Sequence, residues 1–159
     1  MKEAIERIAR LKESAIGPTE ENVKQKVIVP ILELLGHKRE SLEFEYPTRR
    51  GGIMDIFIKN VPHDCKVIID AKNYNENLSD HIEQIKEYTF AEDPLLTVIA
   101  NGTEIRIYSQ LKGIAFERSL LYSIKRQDLG KESVWRILSD LLHNENLQSR
   151  NVLRKIEAR

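Results

Sequence analysis

The hydrophobic period changes partway along the chain, and that change limits the fold more than any other feature. Through residue 36 the apolar residues recur at helical spacing. In TEENVKQKVIVPILELLG, Val23, Val27, Ile31, Leu34 and Leu35 form one stripe. Thr19 stands where an N-cap belongs, and Glu20 and Glu21 fill the first turn, where the helix dipole favours negative charge. Gly36 is a natural stop. Pro30 has no N–H to donate, so it predicts a kink or a register shift inside this helix. From residue 41 the period drops to two. SLEFEY alternates Leu42, Phe44 and Tyr46 with Glu43 and Glu45, which predicts a half-buried strand. IMDIFIK (53–59) and KVIIDAK (66–72) predict two more, the second apolar enough to be central in a sheet.

Helical spacing returns at 78–90, with Ser79 as its expected cap. LLTVIA (95–100) reads as a buried strand, Asn101-Gly102 as a hairpin turn, and EIRIYS (104–109) as the returning strand. GIAFE (113–117) predicts a short edge strand, and the rest is expected to be helical, notably 131–143 and 146–157. A short helix over 3–13 precedes all of this and ends before Gly17-Pro18. The expected architecture is α/β: a mixed sheet of about five strands with helices on both faces, in the order αβββαβ, with a helical C-terminal extension. A chain of 159 residues suits one domain, with its core at about 18–117 and the extension at about 118–159.

Composition excludes several classes. The chain has 25 basic and 25 acidic residues, so it is no uniformly basic nucleic-acid binder. The balance hides a split, with 9 basic and 5 acidic residues in 118–159. A local basic face therefore remains open beside the plainer reading of a solvated helical tail. One cysteine, Cys65, excludes an internal disulfide framework and a cysteine-based zinc site. No apolar run approaches the ~20 residues that span a bilayer. Glu3 and Glu6 stand where a secretion signal would be apolar, so a cytoplasmic location is expected.

The chemistry concentrates on two acids. Asp55 interrupts Ile53, Met54, Ile56, Phe57 and Ile58, and Asp70 follows Val67, Ile68 and Ile69. A carboxylate in an apolar strand is costly unless it is paired, hydrogen-bonded or metal-bound. The turn at 60–64 lets the two strands lie antiparallel, so the acids can face each other across the ladder. Like charges that close favour a divalent cation between them, and hard oxygen ligands favour Mg²⁺ or Mn²⁺. Lys72 leaves the same strand face as Asp70, and the Ala71 carbonyl can serve as a further ligand. The alternative is a buried Asp70–Lys72 ion pair with no metal. Glu20 offers a third carboxylate, or is simply a helix N-terminal acid. HIEQIKEY places Gln84 and Tyr88 one turn apart on one helix face, where Tyr88 can equally be core.

Taken in order, these residues resemble the PD-(D/E)XK nuclease superfamily, in particular the nuclease domain at the N-terminus of type I restriction enzyme R subunits. The resemblance covers about 18–110. It aligns TEENVKQKVIVPILELLG with the opening helix and its acid Glu20, GGIMDIFI with the metal-binding acid Asp55, and IIDAK with Asp70 and Lys72. HIEQIKEY matches the Gln-x-x-x-Tyr motif shared with RecB-type nucleases. Asp70 stands where the family usually has Glu. No P-loop occurs in the chain. The resemblance implies Mg²⁺- or Mn²⁺-dependent cleavage of DNA. Asp55, Asp70 and the Ala71 carbonyl would bind metal with Glu20 acting through a water or second ion, Lys72 would position water, and Gln84 and Tyr88 would orient Lys72 or touch the nucleic acid. It also implies DNA as partner, a homodimer for double-strand cuts, and a motor or specificity subunit on another chain. Arg49, Arg50 and Lys59, or Lys125, Arg126 and Lys131, can supply phosphate contacts, or each can be solvated surface charge. The alternatives are a catalytically silent DNA-binding or assembly module of the same fold, and a nuclease for RNA or branched DNA. Trp135 is expected in the core; His63 and Cys65 are assigned no chemistry.

Overall fold

The computed structural model of the chain describes residues 1–49, 51–111 and 113–158. The N-terminal helix α1 (Lys2–Arg10) is followed by the short α2 (Glu13–Ile16). A continuous helix comes next: α3 (Glu20–Val23), a π turn (Lys24–Ile28) and α4 (Val29–Leu34). The π turn ends two residues before Pro30. A proline ring would collide with the carbonyl four residues back and would leave it without a donor. The helix widens ahead of the proline, where the Val29 amide donates to the Lys24 carbonyl five residues earlier. The predicted register shift is therefore present as a π turn. Thr19 caps α3 as expected: its Oγ1 accepts from the Asn22 amide at 3.1 Å, and the Asn22 side chain accepts from the Thr19 amide.

Six strands form one sheet in sequential order: β1 (Leu42–Pro47), β2 (Ile53–Ile58), β3 (Val67–Ala71), β4 (Leu96–Ala100), β5 (Glu104–Ser109) and β6 (Leu120–Lys125). All neighbours are antiparallel except β3 and β4, which are parallel and joined by a crossover through α5 (Ile82–Glu92). The C-terminal helices are α6 (Glu132–Leu142), α7 (Asn144–Gln148) and α8 (Asn151–Glu157). This mixed α/β architecture is compatible with a restriction-endonuclease-like fold. Among the described residues no helix is long and apolar enough to cross a membrane.

The core has two parts. On one sheet face Ile56, Ile69, Val98 and Ile107 meet the helices of both chain ends, through Ile8, Val27, Leu32, Leu141, Val152 and Ile156. On the other face Ile99, Tyr108 and Phe116 meet Leu78 and Ile85 of the α5 segment. Three local expectations need correction. The segment 113–117 forms no strand; a 3₁₀ turn (Phe116–Arg118) precedes β6 at Leu120–Lys125, inside the stretch expected to be helical. The α5 segment is capped by Asn77, whose side chain accepts from the Ser79 amide, rather than by Ser79. Tyr46 leaves the face that Phe44 occupies. Glu45 has φ of 54°, and that left-handed residue turns the strand so that Tyr46 stacks on Phe57 while Phe44 packs on the main core.

Candidate active site

The register of the β2–β3 pair decides where the acids meet. Ile56 faces Ile69 and Phe57 faces Ile68. One step further along the same antiparallel pair, Asp55 stands opposite Asp70. Both point away from the main core, since Ile56 and Ile69 are the residues that enter it. Asp55 Oδ2 accepts a hydrogen bond from the Ala71 amide at 2.6 Å. That cross-strand bond fixes the carboxylate at the end of β3. Asp70 is 4% exposed, and its Oδ2 has no aligned hydrogen bond, although the Lys72 ammonium lies 2.9 Å away as an ion pair. Lys72 Nζ also donates to Gln84 Oε1 at 2.8 Å, which ties the end of β3 to α5.

The electrostatics follow from that crowding. Burial, and then the facing Asp70 carboxylate, push the Asp55 carboxyl up to about 7 from its ordinary 3.8. Glu20 is likewise raised, first by burial and then by the charge of Asp55, so the opening helix delivers its acid to the same neighbourhood. Burial works against the Lys72 ammonium, but Asp70, Glu20 and Asp55 around it outweigh burial and raise its pKa.

Glu20 is placed by residues the sequence reading passed over. Its backbone amide donates to Asn73 Oδ1 at 2.8 Å, and the Tyr74 amide donates to the Pro18 carbonyl at 2.9 Å. The start of α3 is therefore laced to the loop that follows Lys72. The signal was an amide side chain directly after the Asp-Ala-Lys run. Lys24 was also missed. It is 2% exposed and bridges Glu21 at 2.7 Å and Glu45 at 2.8 Å beside this group.

Other candidates separate. Tyr88 packs against the second core cluster, as the structural alternative had it, and against Gly52, where an added Cβ would lie 2.1 Å from its ring. The Arg49 amide donates to Glu92 Oε2 at 2.8 Å at the far end of α5, about 12 Å along the helix from Gln84. Lys59 follows the end of β2 opposite to Asp55, and Arg50 lies outside the described residues. Lys131 is paired with Asp128 at 3.3 Å. Arg126, expected as solvated charge if it had no role, is instead only 6% exposed. Trp135 packs on the main core, and Cys65 is buried.

Do these residues fit a divalent ion? Among the described residues no three His, Cys, Asp or Glu side chains cluster tightly enough to ligate a metal by themselves. The two facing carboxylates are the donor set on offer: Asp70 has a buried oxygen 2.9 Å from the Lys72 ammonium, and Asp55 holds its proton up to about pH 7. Mg²⁺ is commonly held by one or two carboxylates, with water and phosphate oxygens completing its shell, and this donor set fits that pattern.

The fold is similar to a solved structure described as the cryoEM structure of a DrdV–DNA complex, with a TM-score of 0.56 and 12% sequence identity. The match covers 90% of this chain and only 13% of that one. At that identity the likeness is one of fold. No protein-family model matches the sequence, and no curated protein matches it.

Proposed function

We propose that the chain is a divalent-metal-dependent endonuclease that hydrolyses DNA phosphodiester bonds, like the nuclease domain of type I restriction enzyme R subunits. The observation that carries this reading is the pair of facing carboxylates, Asp55 and Asp70, with the Lys72 ammonium 2.9 Å from the latter. The neighbour solved as a DNA complex supports a nucleic-acid substrate.

Asp55, Asp70 and the Ala71 carbonyl would hold Mg²⁺ or Mn²⁺, with Glu20 at the rim. When bound, such an ion neutralises charge at the scissile phosphate and makes a nearby water more acidic. Asp55 ionises more easily once a cation stands beside it, because the repulsion from Asp70 is then offset. Lys72, released from its ion pair with Asp70, would orient the attacking water and stabilise charge on the phosphorane oxygens. Gln84 holds the Lys72 ammonium in place from α5. Tyr88 orients that helix by packing against Gly52. A double-strand cut requires two such centres, supplied by a second copy of the chain. A motor or specificity subunit would come from another chain.

The test is a cleavage assay on supercoiled, linear, branched and single-stranded DNA and on RNA, with Mg²⁺, Mn²⁺ or EDTA. Asp70→Ala and Lys72→Ala should each lower the rate on the preferred DNA at least about 100-fold, with the cooperative melt retained. Parental rates in both variants would overturn the assignment. One observation favours a second reading, a silent DNA-binding module: Lys72 already partly neutralises Asp70 as a built-in cation. Calorimetric titration separates the two, since a silent module takes up neither Mg²⁺ nor Mn²⁺ at millimolar concentration.

A further inference from the structure

The end of the sheet that carries Asp70 and Lys72 also carries a second feature, across β4 to β6. Asp70 faces Ile99, Ile99 faces Arg106, and Arg106 faces Ser123. Side chains at paired positions share a sheet face, so Ser123 lies in the row of Asp70, about 14 Å away at three strand spacings. One row further out, Glu104 faces Lys125. Beyond them opens a cleft of about 490 Å³, lined by Tyr74, Thr103, Glu104, Ser123, Lys125, Arg126 and Gln127.

The charge in this cleft is unbalanced. Glu104 is neutralised within its own strand by Arg106 Nε at 2.8 Å, and it accepts from the Ser123 hydroxyl. Arg126 is 6% exposed and pairs with no carboxylate among the described residues. Its Nε donates to the Gly102 carbonyl at 2.6 Å. Its Nη1 donates to the Ile8 and Ala9 carbonyls at 2.6 and 3.3 Å, and its Nη2 to Tyr74 Oη at 3.1 Å. The α1 carbonyls supply the negative end of a helix dipole, worth roughly half a charge. A net positive charge is left over among the described residues. Lys125 is exposed on the same wall and has no ion-pair partner among the described residues. A buried guanidinium with no carboxylate partner among the described residues, beside an exposed ammonium at an open cleft, is an arrangement that an anion completes.

We infer that this cleft is a phosphate-binding subsite for the nucleic-acid strand, holding a phosphate remote from the scissile bond. The inference rests on the nuclease reading for the identity of its ligand. Tyr74 joins the two regions. Its amide is tied to Pro18 beside Glu20, and its hydroxyl accepts from Arg126. The β4–β5 hairpin also closes on it, since a Cβ at Gly102 would lie 2.0 Å from the Tyr74 ring.

The experiment measures binding apart from cleavage. Fluorescence anisotropy in EDTA, over a series of salt concentrations, would compare the parent with Lys125→Ala and Gln127→Glu. Both positions are exposed, so both variants should keep the parental thermal midpoint. Each should weaken binding of a labelled duplex about tenfold at low salt, and Lys125→Ala should flatten the log–log salt slope by about one. Mn²⁺ affinity by calorimetry should be unchanged in both, whereas Asp70→Ala should lose Mn²⁺ and keep its DNA affinity. Oligonucleotides with a 5′-phosphate and with a 5′-hydroxyl separate the sources. Equal affinities assign a backbone phosphate, and preference for the phosphorylated end assigns a terminal one. Parental affinity and salt slope in both variants would overturn the subsite and leave the nuclease reading intact. A Lys125-dependent affinity in a chain that cuts nothing would do the reverse.

Discussion

A carboxylate set opposite another on neighbouring strands has three ways to lower its energy: take up a proton, find a cation, or turn away. Asp55 cannot turn away, because the Ala71 amide holds it at 2.6 Å. It takes up a proton instead, with its pKa pushed to about 7 by burial and by Asp70. The consequence for stability has a definite sign. A group whose folded pKa lies above its unfolded value of 3.8 contributes stability that is complete below 3.8 and is lost as pH rises through 7. The metal-free chain should therefore lose thermal stability through Asp55 between pH 5.5 and 8. His37 acts in the opposite direction, since burial lowers its pKa, so the comparison must be made between variants. In EDTA, the difference in melting temperature between Asp55→Asn and the parent should grow in favour of Asn from pH 5.5 to 8. Millimolar Mg²⁺ should stabilise the parent at pH 8 and leave Asp55→Asn unaffected. A difference independent of pH would mean that Asp55 is ionised throughout.

Between elements, the contact that matters is the one between the β1–β2 connection and α5. Thr48, Gly51 and Gly52 line a cleft of about 470 Å³ with Gln84, Glu87, Tyr88 and Ala91. Gly52 is where the backbone comes closest: an added Cβ would meet the Tyr88 ring at 2.1 Å and its hydroxyl at 2.9 Å. Gln84 lies one turn before Tyr88, so a displaced ring would shift the residue that holds Lys72. Gly52→Ala should cost about 1–3 kcal/mol of stability in urea unfolding. In a Tyr88→Ala background the same change should cost less than about 0.5 kcal/mol, the behaviour of two residues coupled by contact. Equal costs in both backgrounds would remove the clash as the cause. The facing of Asp55 and Asp70 was legible in the sequence, because two short apolar runs joined by a turn predict an antiparallel pair in which the two acids can stand opposite each other. A kink or register shift was legible from Pro30 alone, though its form as a π turn was not. The turn of β1 at Glu45 was not, because a left-handed glutamate has no compositional signature. Nor was β6, whose residues alternate poorly and are largely exposed at the sheet edge. The burial of Arg126 depends on α1 carbonyls more than a hundred residues away, and no local pattern encodes that.

Across the whole molecule, both chain ends converge on one sheet face. Leu138, Leu141, Leu147, Val152 and Ile156 are fully buried there, with Ile16 and Val27. Polar bonds fasten the same junction: His37 Nε2 and the Leu142 carbonyl are 2.7 Å apart, and the Asn144 amide donates to the Leu35 carbonyl at 2.9 Å. The latter satisfies a carbonyl at the end of α4, which a helix terminus otherwise leaves open. The helices after β6 are thus part of the core that backs β3, although they stand on the face opposite to Asp55 and Asp70. A cavity there should weaken the fold without touching the chemistry. Leu141→Ala should lower the unfolding free energy by about 2–5 kcal/mol, since a fully buried leucine loses both its transfer free energy and its packing. That is a large share of the 5–15 kcal/mol typical of a domain. Well below the melting transition, metal uptake and DNA binding should stay at the parental level, because the β2–β3 register does not pass through that side chain. A cost below about 1 kcal/mol would instead mean that the C-terminal helices ride on the sheet as an appendage whose loss the core tolerates.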